Sequence, residues 1–578
     1  MGKVSVLNHW QMFSDFTAQY RSGHAKDPFV EIDNWNQFSL PTQISSSFTE
    51  VELSIIHNYA FITDPERVPA ARNFINGEWI LSPEQNKAFM LAHFDQTRSL
   101  FSVSAPTPAD IEEAIRSAFS TANMYPWCLD GIMYRKKVVE RFALLMEHFQ
   151  DKIEREIRLY IPKTKKEVGK DFHEAVGAAR LLAGESLRAL RGDMLPEIIQ
   201  GQEYWKSYLP GGPTVIITPM NFVWGIPVIQ LVAAYLAGNP IIFKGHPFTA
   251  ISNEHIIRLL IAAGADPLAL QVIQGFGKDV EQIAIDRRIK IVHITGSYET
   301  ADHIRARRAG AHAGGALYNE GGGCNWAWID DNFNNEELEQ IAIRLVYSKL
   351  ALSSHKCTTL HGIAASTETL NRLLPLIKWE MCNWKIADPH ETDDDEEKII
   401  GPLMVHSKKF YDEIIRQTTA AGYETEVVNV PGQEDEAYIL KTQSVPPAII
   451  CCVGVPNFIT VEWENEGQRT INLATTELFM PILVVYPSTF NDFIRFQITT
   501  NPYGGIATSI YTRDTKKISL AKSSVGGMLK INDGTDSAFE WEDFGGDGTG
   551  LSGNGSAGDP VATIRQYCRR QNGRSVVF

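Results

Sequence analysis

Cys357 lies at the centre of LALSSHKCTTLHGI, and Glu320 opens the glycine run of ALYNEGGGCNW upstream of it. A thiol can attack a carbonyl carbon, and a carboxylate can draw a proton from water. Together they could form a covalent adduct with an aldehyde and then hydrolyse the acyl group left on sulfur. Lys356 adjoins the cysteine, and a neighbouring cation favours the thiolate, the form that attacks. Cys324, just after the glycines, is the rival thiol. Cys451 and Cys452 sit in the strand-like AIICCVGV, where burial is the default. Gly321, Gly322 and Gly323 permit a backbone that passes close beside a ligand.

Other candidates stand where short apolar runs end. Asn221 in TPMNFVWGIP could offer a side-chain amide to a developing oxyanion, and Lys244 in IIFKGHP could reach sugar hydroxyls or phosphate. Gly275 follows the run LQVI. Gly296 and Ser297 in ITGSYETADHI mark a change from strand to helix, whose first N–H groups attract phosphate, although this turn lacks the G-x-G-x-x-G fingerprint.

The elements that must position these groups alternate from Gly212 to Thr300: TVIIT, PVIQLVAAYLAG, PIIFK, SNEHIIRLLIAAGA, LQVIQG and KIVHITG. Short β-branched runs separated by amphipathic helices describe βαβ units and a parallel sheet, which binds ligands beyond the carboxyl ends of its strands. Between Pro106 and Arg191 the pattern is helical, with Val139, Phe142, Leu145, Met146 and Phe149 along one face. FINGEWI predicts a hairpin around Asn76 and Gly77. A second α/β stretch runs from Asn325 to about Gly527, interrupted by the acidic HETDDDEEK, expected as an exposed loop. KTKKEVGK reads as a solvated helix face. The glycine-dense FGGDGTGLSGNGSAGDP is either a linker or backbone that passes close to a ligand or a neighbouring subunit.

The 578 residues exceed the roughly 250–300 at which one hydrophobic core stops growing, so at least two domains are expected. A net charge of −15 disfavours nucleic acid and anionic membrane as partners. No apolar run approaches the ~18–20 residues of a membrane span, and the N-terminal segment lacks the apolar core of a signal peptide. The expectation is a cytoplasmic protein. Seven cysteines with no C-x-x-C point to reduced thiols and no metal site.

In chain order, TPMNF, IIFKGHP, ITGS, NEGGG, SHKC and ELFMP resemble the motif series of the aldehyde dehydrogenase superfamily, and FINGEWI, NPYGGIATSIYTRD and DFGG followed by SGNG extend the likeness. The resemblance implies an α/β fold with a Rossmann-type parallel-sheet cofactor domain, an α/β catalytic domain and a β oligomerisation arm. It implies an N-terminal extension over 1–72, an NAD(P)-binding domain over 73–195 and 212–322, a catalytic domain over 323–528, and an arm and tail over 196–211 and 548–578. A homodimer or homotetramer and a small-molecule aldehyde substrate follow from the same likeness. Cys357 would attack the aldehyde, Asn221 and the Cys357 N–H would hold the oxyanion, and Glu320 would activate the water that hydrolyses the thioester. NAD or NADP would be bound by Thr218, Pro219, Gly275, Gly296 and Gly321, with Lys244 at the adenosine ribose, Ser297 at the pyrophosphate, Glu477 at the nicotinamide ribose and Phe479 against the ring.

The chain also departs from that pattern. Ser354 and His355 stand where the family shows Gly-Gln, and Gly321 to Cys324 replace Leu-Gly-Gly-Lys. Met480 replaces a glycine and is expected to crowd the nicotinamide. Pro247 replaces a carboxylate that would repel a 2′-phosphate, which leaves NADP as compatible as NAD. KGHP and CTT look like the branch that handles aromatic-degradation semialdehydes and their coenzyme A esters, whereas the glycine-rich tail looks like the pyrroline-5-carboxylate branch. Resolution of the thioester by coenzyme A, or a catalytically silent structural or binding subunit, are the alternatives. Phe222, Trp224 and Phe539 are expected to line an apolar substrate tunnel.

Overall fold

The β-branched runs between Gly212 and Glu320 pair as the first of two seven-stranded sheets in the computed structural model. It describes residues 44–576 except 45–46, 62–69, 84–86, 93–94, 124–130, 196–201, 391–397, 454–456, 464–466, 503–505, 539–541, 543–544, 546–549 and 557. The sheet order is Ala316–Glu320, Ile291–Thr295, Thr214–Ile217, Ile241–Lys244, Leu270–Val272, Asn73–Ile75 and Glu78–Ile80. The first five strands are parallel and the last two form an antiparallel hairpin. Its turn residues Asn76 and Gly77 both have positive φ, 50° and 84°, as an Asn-Gly hairpin turn requires.

From Thr214–Ile217 the chain builds outward through Ile241–Lys244 to Leu270–Val272. It then crosses back to place Ile291–Thr295 on the other side. The loops after Thr214–Ile217 and Ile291–Thr295 therefore diverge, and a crevice opens between them at the carboxyl ends. The helix Gly225–Leu236 that follows the first of these loops is buried at all twelve positions. Being apolar on every face, it is packed on every face. The largest apolar cluster joins it to the helices Ile132–His148, Lys165–Leu190 and Ala250–Ala262.

The second sheet has the order Glu424–Val427, Ala448–Cys451, Ile482–Pro487, Leu360–Ala365, Asn325–Ile329, Ala507–Tyr511 and Met528–Ile531, parallel but for its first strand. Only Gly321 to Cys324 separate the last strand of the first sheet from the strand Asn325–Ile329 of the second. A third sheet pairs Gln202–Pro210 with Cys568–Val576 along nine residues and with Asp193–Leu195 on its other edge. Among the described residues no helix is long and apolar enough to cross a membrane.

Several expectations need correction. KTKKEVGK is not wholly a solvated face: Lys163 is 1% exposed and pairs with Asp171 at 2.8 Å. The tail is no free linker where it is described, because residues 551–555 lie against Asn319, Gly321 and Gly322. Residues 1–43, most of HETDDDEEK and the start of the arm lie outside the described residues.

Candidate functional site

The loop that carries Cys357 begins where the helix Asn335–Leu350 stops. Leu352, Ser353 and Ser354 follow with φ of 52°, 51° and 66°. A left-handed L-residue costs about 1–2 kcal/mol, so three in succession persist only under outside restraint. The restraint is visible. Leu352 N–H donates to Glu167 Oε1 at 2.5 Å, Ser354 Oγ donates to the Lys349 carbonyl at 2.6 Å, and Gly401 N–H donates to Ser353 Oγ at 2.8 Å. His355 is fully buried and its Nε2 accepts the Met404 N–H at 3.1 Å, which places its neutral-form hydrogen on Nδ1, toward the Leu352 carbonyl at 3.2 Å. These contacts hold Ser354 and His355 in place of the family's Gly-Gln.

Asn221 is tied to the same loop: its Nδ2 donates to the His355 carbonyl at 2.8 Å. One of its two amide hydrogens is thereby committed. The loop around Asn221 is itself pinned, because the helix after it has no side-chain cap of its own. Asp171, from the neighbouring helix, substitutes for one. Its carboxylate accepts the N–H groups of Val223, Trp224 and Gly225 at 2.8, 3.2 and 2.7 Å while pairing with Lys163. Breaking one side of such a buried pair costs about 3–5 kcal/mol. Sequence reasoning missed Asp171, and the missing cap was the signal that could have found it.

Glu320 ends the edge strand of the first sheet and is 3% exposed. Gln230 Nε2 donates to its Oε1 at 3.0 Å and Thr295 Oγ1 to its Oε2 at 2.9 Å. The three glycines after it have three separate reasons. A β-carbon at Gly321 would overlap the Leu551 carbonyl oxygen, at Gly322 the Glu477 carboxylate, and at Gly323 the Cys357 carbonyl oxygen. Gly321 N–H donates to the Ser552 carbonyl at 2.7 Å, and Gly323 N–H to Glu477 Oε1 at 2.9 Å. Asn325 then fixes the nucleophile's backbone, donating to the carbonyls of Cys357 at 2.7 Å and Thr359 at 3.0 Å. Cys357, Glu320, Asn221, Gly321 and Glu477 are thus brought to the junction of the two sheets.

The electrostatics run against the expectation for Lys356. Its ammonium turns to Asp536 at 3.5 Å. Burial, and then the carboxylates of Glu477, Glu320 and Glu174, push the Cys357 thiol up to about 12. The diverted Lys356 does not offset this, and the thiol is protonated near neutrality. Glu477 is pushed up to about 8 by burial, with the Gly323 N–H opposing. Burial also drives Lys349 down to about 7. The rival Cys324 is 0% exposed, its Sγ donating to the Ala474 carbonyl at 3.3 Å, and burial raises its thiol well above the usual range.

Along the crevice, Thr218 and Pro219 follow the strand Thr214–Ile217, and the buried Thr218 Oγ1 has no hydrogen-bond partner. Lys244 is buried at the end of the next strand, its Nζ donating to the Gly245 carbonyl at 2.9 Å. Ser297 is exposed and caps the helix Tyr298–Gly310, and the space beside Gly296 is open. Gly275, with φ of 107°, packs on Ala105 and Pro106. Phe479 is half-buried with φ of 51° and meets the His355 ring edge-on at 5.3 Å. Met480 does not crowd this space: it is fully buried in the core of the second sheet. Trp224 is likewise core, whereas Phe222 is half-buried beside Cys357 under the Lys163 ammonium. Phe539 lies outside the described residues.

A sequence model of the aldehyde dehydrogenase family matches residues 80–572. Among curated proteins the chain is 26% identical over 475 residues to the bifunctional protein PutA of Salmonella typhimurium, covering 80% of this chain and 33% of that one. It is 24% identical over 343 residues to malonate-semialdehyde dehydrogenase of Bacillus cytotoxicus, covering 59% of this chain and 68% of the relative. The chain thus spans about a third of the length of the PutA proteins it matches. Its fold is that of P. syringae indole-3-acetaldehyde dehydrogenase AldA, solved with NAD+ and IAA, at a TM-score of 0.77 and 20% identity over 91% of this chain and 99% of that one. Proline utilization A of Bdellovibrio bacteriovorus superposes with a TM-score of 0.75 and 20% identity, over 91% of this chain and 52% of the other.

Proposed function

We propose that this chain, which belongs to the aldehyde dehydrogenase family, oxidises an aldehyde to the carboxylic acid through a thiohemiacetal and a thioester on Cys357, with NAD or NADP as acceptor. The observation that carries this reading is convergence at one loop: Asn221 bonds the carbonyl of His355, two residues before Cys357, and the Glu320 glycine run packs on the carbonyl of Cys357 itself.

In this mechanism Cys357 reacts as its thiolate, the thiol proton having passed to solvent, and its Sγ attacks the aldehyde carbon. The second amide hydrogen of Asn221 and the Cys357 N–H receive the oxyanion, a contact of the kind worth about 10²–10³ in rate. A bound nicotinamide supplies the acceptor for the hydride. Glu320 then takes a proton from water as that water attacks the thioester, and the sulfur leaves. The residues present fit a dinucleotide on three counts: an orphaned Thr218 hydroxyl, an open helix N-terminus behind Gly296 and Ser297, and a carboxyl at Glu477 lodged where only a glycine could face it. Thr218, Pro219, Gly275, Gly321, Lys244, Ser297, Glu477 and Phe479 are proposed to hold it. No acid replaces Pro247 nearby in sequence, which keeps NADP open beside NAD.

The proposed division places cofactor binding on 73–195 and 212–322, catalysis on 323–528, and oligomerisation on 196–211 with 548–578, where Gln202–Pro210 and Cys568–Val576 pair. A homodimer or homotetramer in the cytoplasm completes the reading. The test is a panel of aromatic, aliphatic and semialdehyde substrates with each nucleotide, followed by mass spectrometry of the trapped thiol. Nucleotide reduction with an acyl adduct on Cys357 is expected. An acyl-CoA product would assign deacylation to coenzyme A, and neither reduction nor adduct would make the chain a silent subunit.

A further inference from the structure

Beneath Glu320 lies a buried polar layer that the mechanism above leaves unused. His293 and Thr295 share one face of their strand, and Tyr318 and Glu320 are their partners in register on the next. Gln230 gives its amide hydrogen to Glu320 Oε1, so its amide oxygen faces away, where it accepts a short hydrogen bond from the Tyr567 hydroxyl. That hydroxyl has one hydrogen. Having given it to Gln230, its oxygen can only accept from His293 Nδ1, 2.8 Å away, so Nδ1 carries a hydrogen. The opposite ring nitrogen, Nε2, has no hydrogen-bond partner among the described residues and lies 3.5 Å from Glu320 Oε1. His293, Gln230 and Tyr567 are all fully buried.

Nε2 is therefore a bare acceptor in the dry interior, and a proton taken up by Glu320 has a partner there that leaves both groups hydrogen-bonded. The junction is closed from above by Gly555, where a β-carbon would come within 3.0 Å of Glu320 Cγ and 3.1 Å of His293 Nε2. Tyr567 stays a neutral hydroxyl, since burial and then the Glu320 charge hold its ionisation well above the usual range.

We propose that His293 relays the proton of the hydrolytic step, accepting at Nε2 the proton that Glu320 draws from water, with Tyr567 and Gln230 positioning the ring. The inference rests on Glu320 being the general base. In the step, a water O–H bond breaks and the new C–O bond forms at the acyl carbon. The proton passes to Glu320 and on to Nε2, and the C–S bond breaks with its electron pair on sulfur. The same proton then returns through Glu320 to the Cys357 thiolate, so thioester and water give carboxylic acid and thiol.

The test uses the whole protein without nucleotide and p-nitrophenyl acetate as probe. Acylation of Cys357 releases p-nitrophenolate as a burst, and deacylation sets the steady state. In His293→Asn an amide takes the place of Nδ1 and Nε2 is removed; the burst is expected to persist while deacylation slows roughly 10–100-fold. Tyr567→Phe, which deletes one oxygen, is expected to slow deacylation about 3–10-fold. In mixed light and heavy water the wild-type deacylation rate is expected to curve with deuterium fraction, as two moving protons require, and to become linear in His293→Asn. Glu320→Gln is the reference. If it leaves deacylation unchanged, the base assignment fails and the relay with it. If it slows deacylation while His293→Asn does not, the relay alone fails. Loss of the burst in both His293→Asn and Tyr567→Phe, or an unaltered curve in His293→Asn, would overturn the relay in favour of packing.

Discussion

The two groups proposed to react are positioned by opposite means. Cys357 sits after three left-handed residues, held by hydrogen bonds from a capping glutamate, a serine pair and a buried histidine. Glu320 sits on a regular strand, where register with Thr295 and the face it shares with Tyr318 place its carboxylate without backbone strain. The loop of Cys357 is therefore sensitive to its braces, and Glu320 is sensitive to what packs over its strand.

The comparison can be broken most decisively at the thiols. Cys357→Ala is expected to abolish turnover while leaving nucleotide affinity within about threefold, and Cys324→Ala to keep turnover, as checked by steady-state rates and nucleotide titration. The reverse outcome would move the proposed nucleophile to the short link that follows the strand of Glu320 and erase the contrast. A smaller effect sharpens the other side. Gly322→Ala drives a β-carbon into the Glu477 carboxylate. It is expected to raise the KM for nucleotide roughly tenfold with a lesser change in kcat, because Glu477 and not Glu320 is displaced. The smallest effect is a slope. With the Cys357 thiol pushed up to about 12, the reactive thiolate fraction of nucleotide-free protein grows as pH rises. Alkylation of Cys357 by iodoacetamide is expected to accelerate about tenfold per pH unit from roughly 7 to 10. A plateau in that range would mean that the loop is more polar than the carboxylates around it allow.

Much of the first sheet was legible because the runs TVIIT, PIIFK, LQVIQG and KIVHITG are short and apolar and stand between helical segments; the Asn76-Gly77 turn could be read to the residue. Cys357, Glu320 and Asn221 were proposed from motif order and lie at one junction in the structure, but the residues that brace them had no signal of their own. Asp171 acts on a helix start 52 residues away, and Tyr567 reaches His293 across 274 residues, distances at which local pattern carries no signal. The sign of Lys356 was misread for the same reason: adjacency in sequence fixed the charge but not its direction, and Asp536 decided that. Met480 looked like an obstruction because a larger residue replaces a glycine, yet the backbone turn at Phe479 sends it into the core.

Gly321 and Gly322 find their cover at Leu551 and Ser552, with Gly322 and Ser552 standing 230 positions apart along the chain. A ribosome must therefore carry synthesis far past the second sheet before the carboxylate at Glu320 acquires its lid. Until residues 551–552 dock, Gly321 and Gly322 have no cover and the wall beside Glu320 is unfinished.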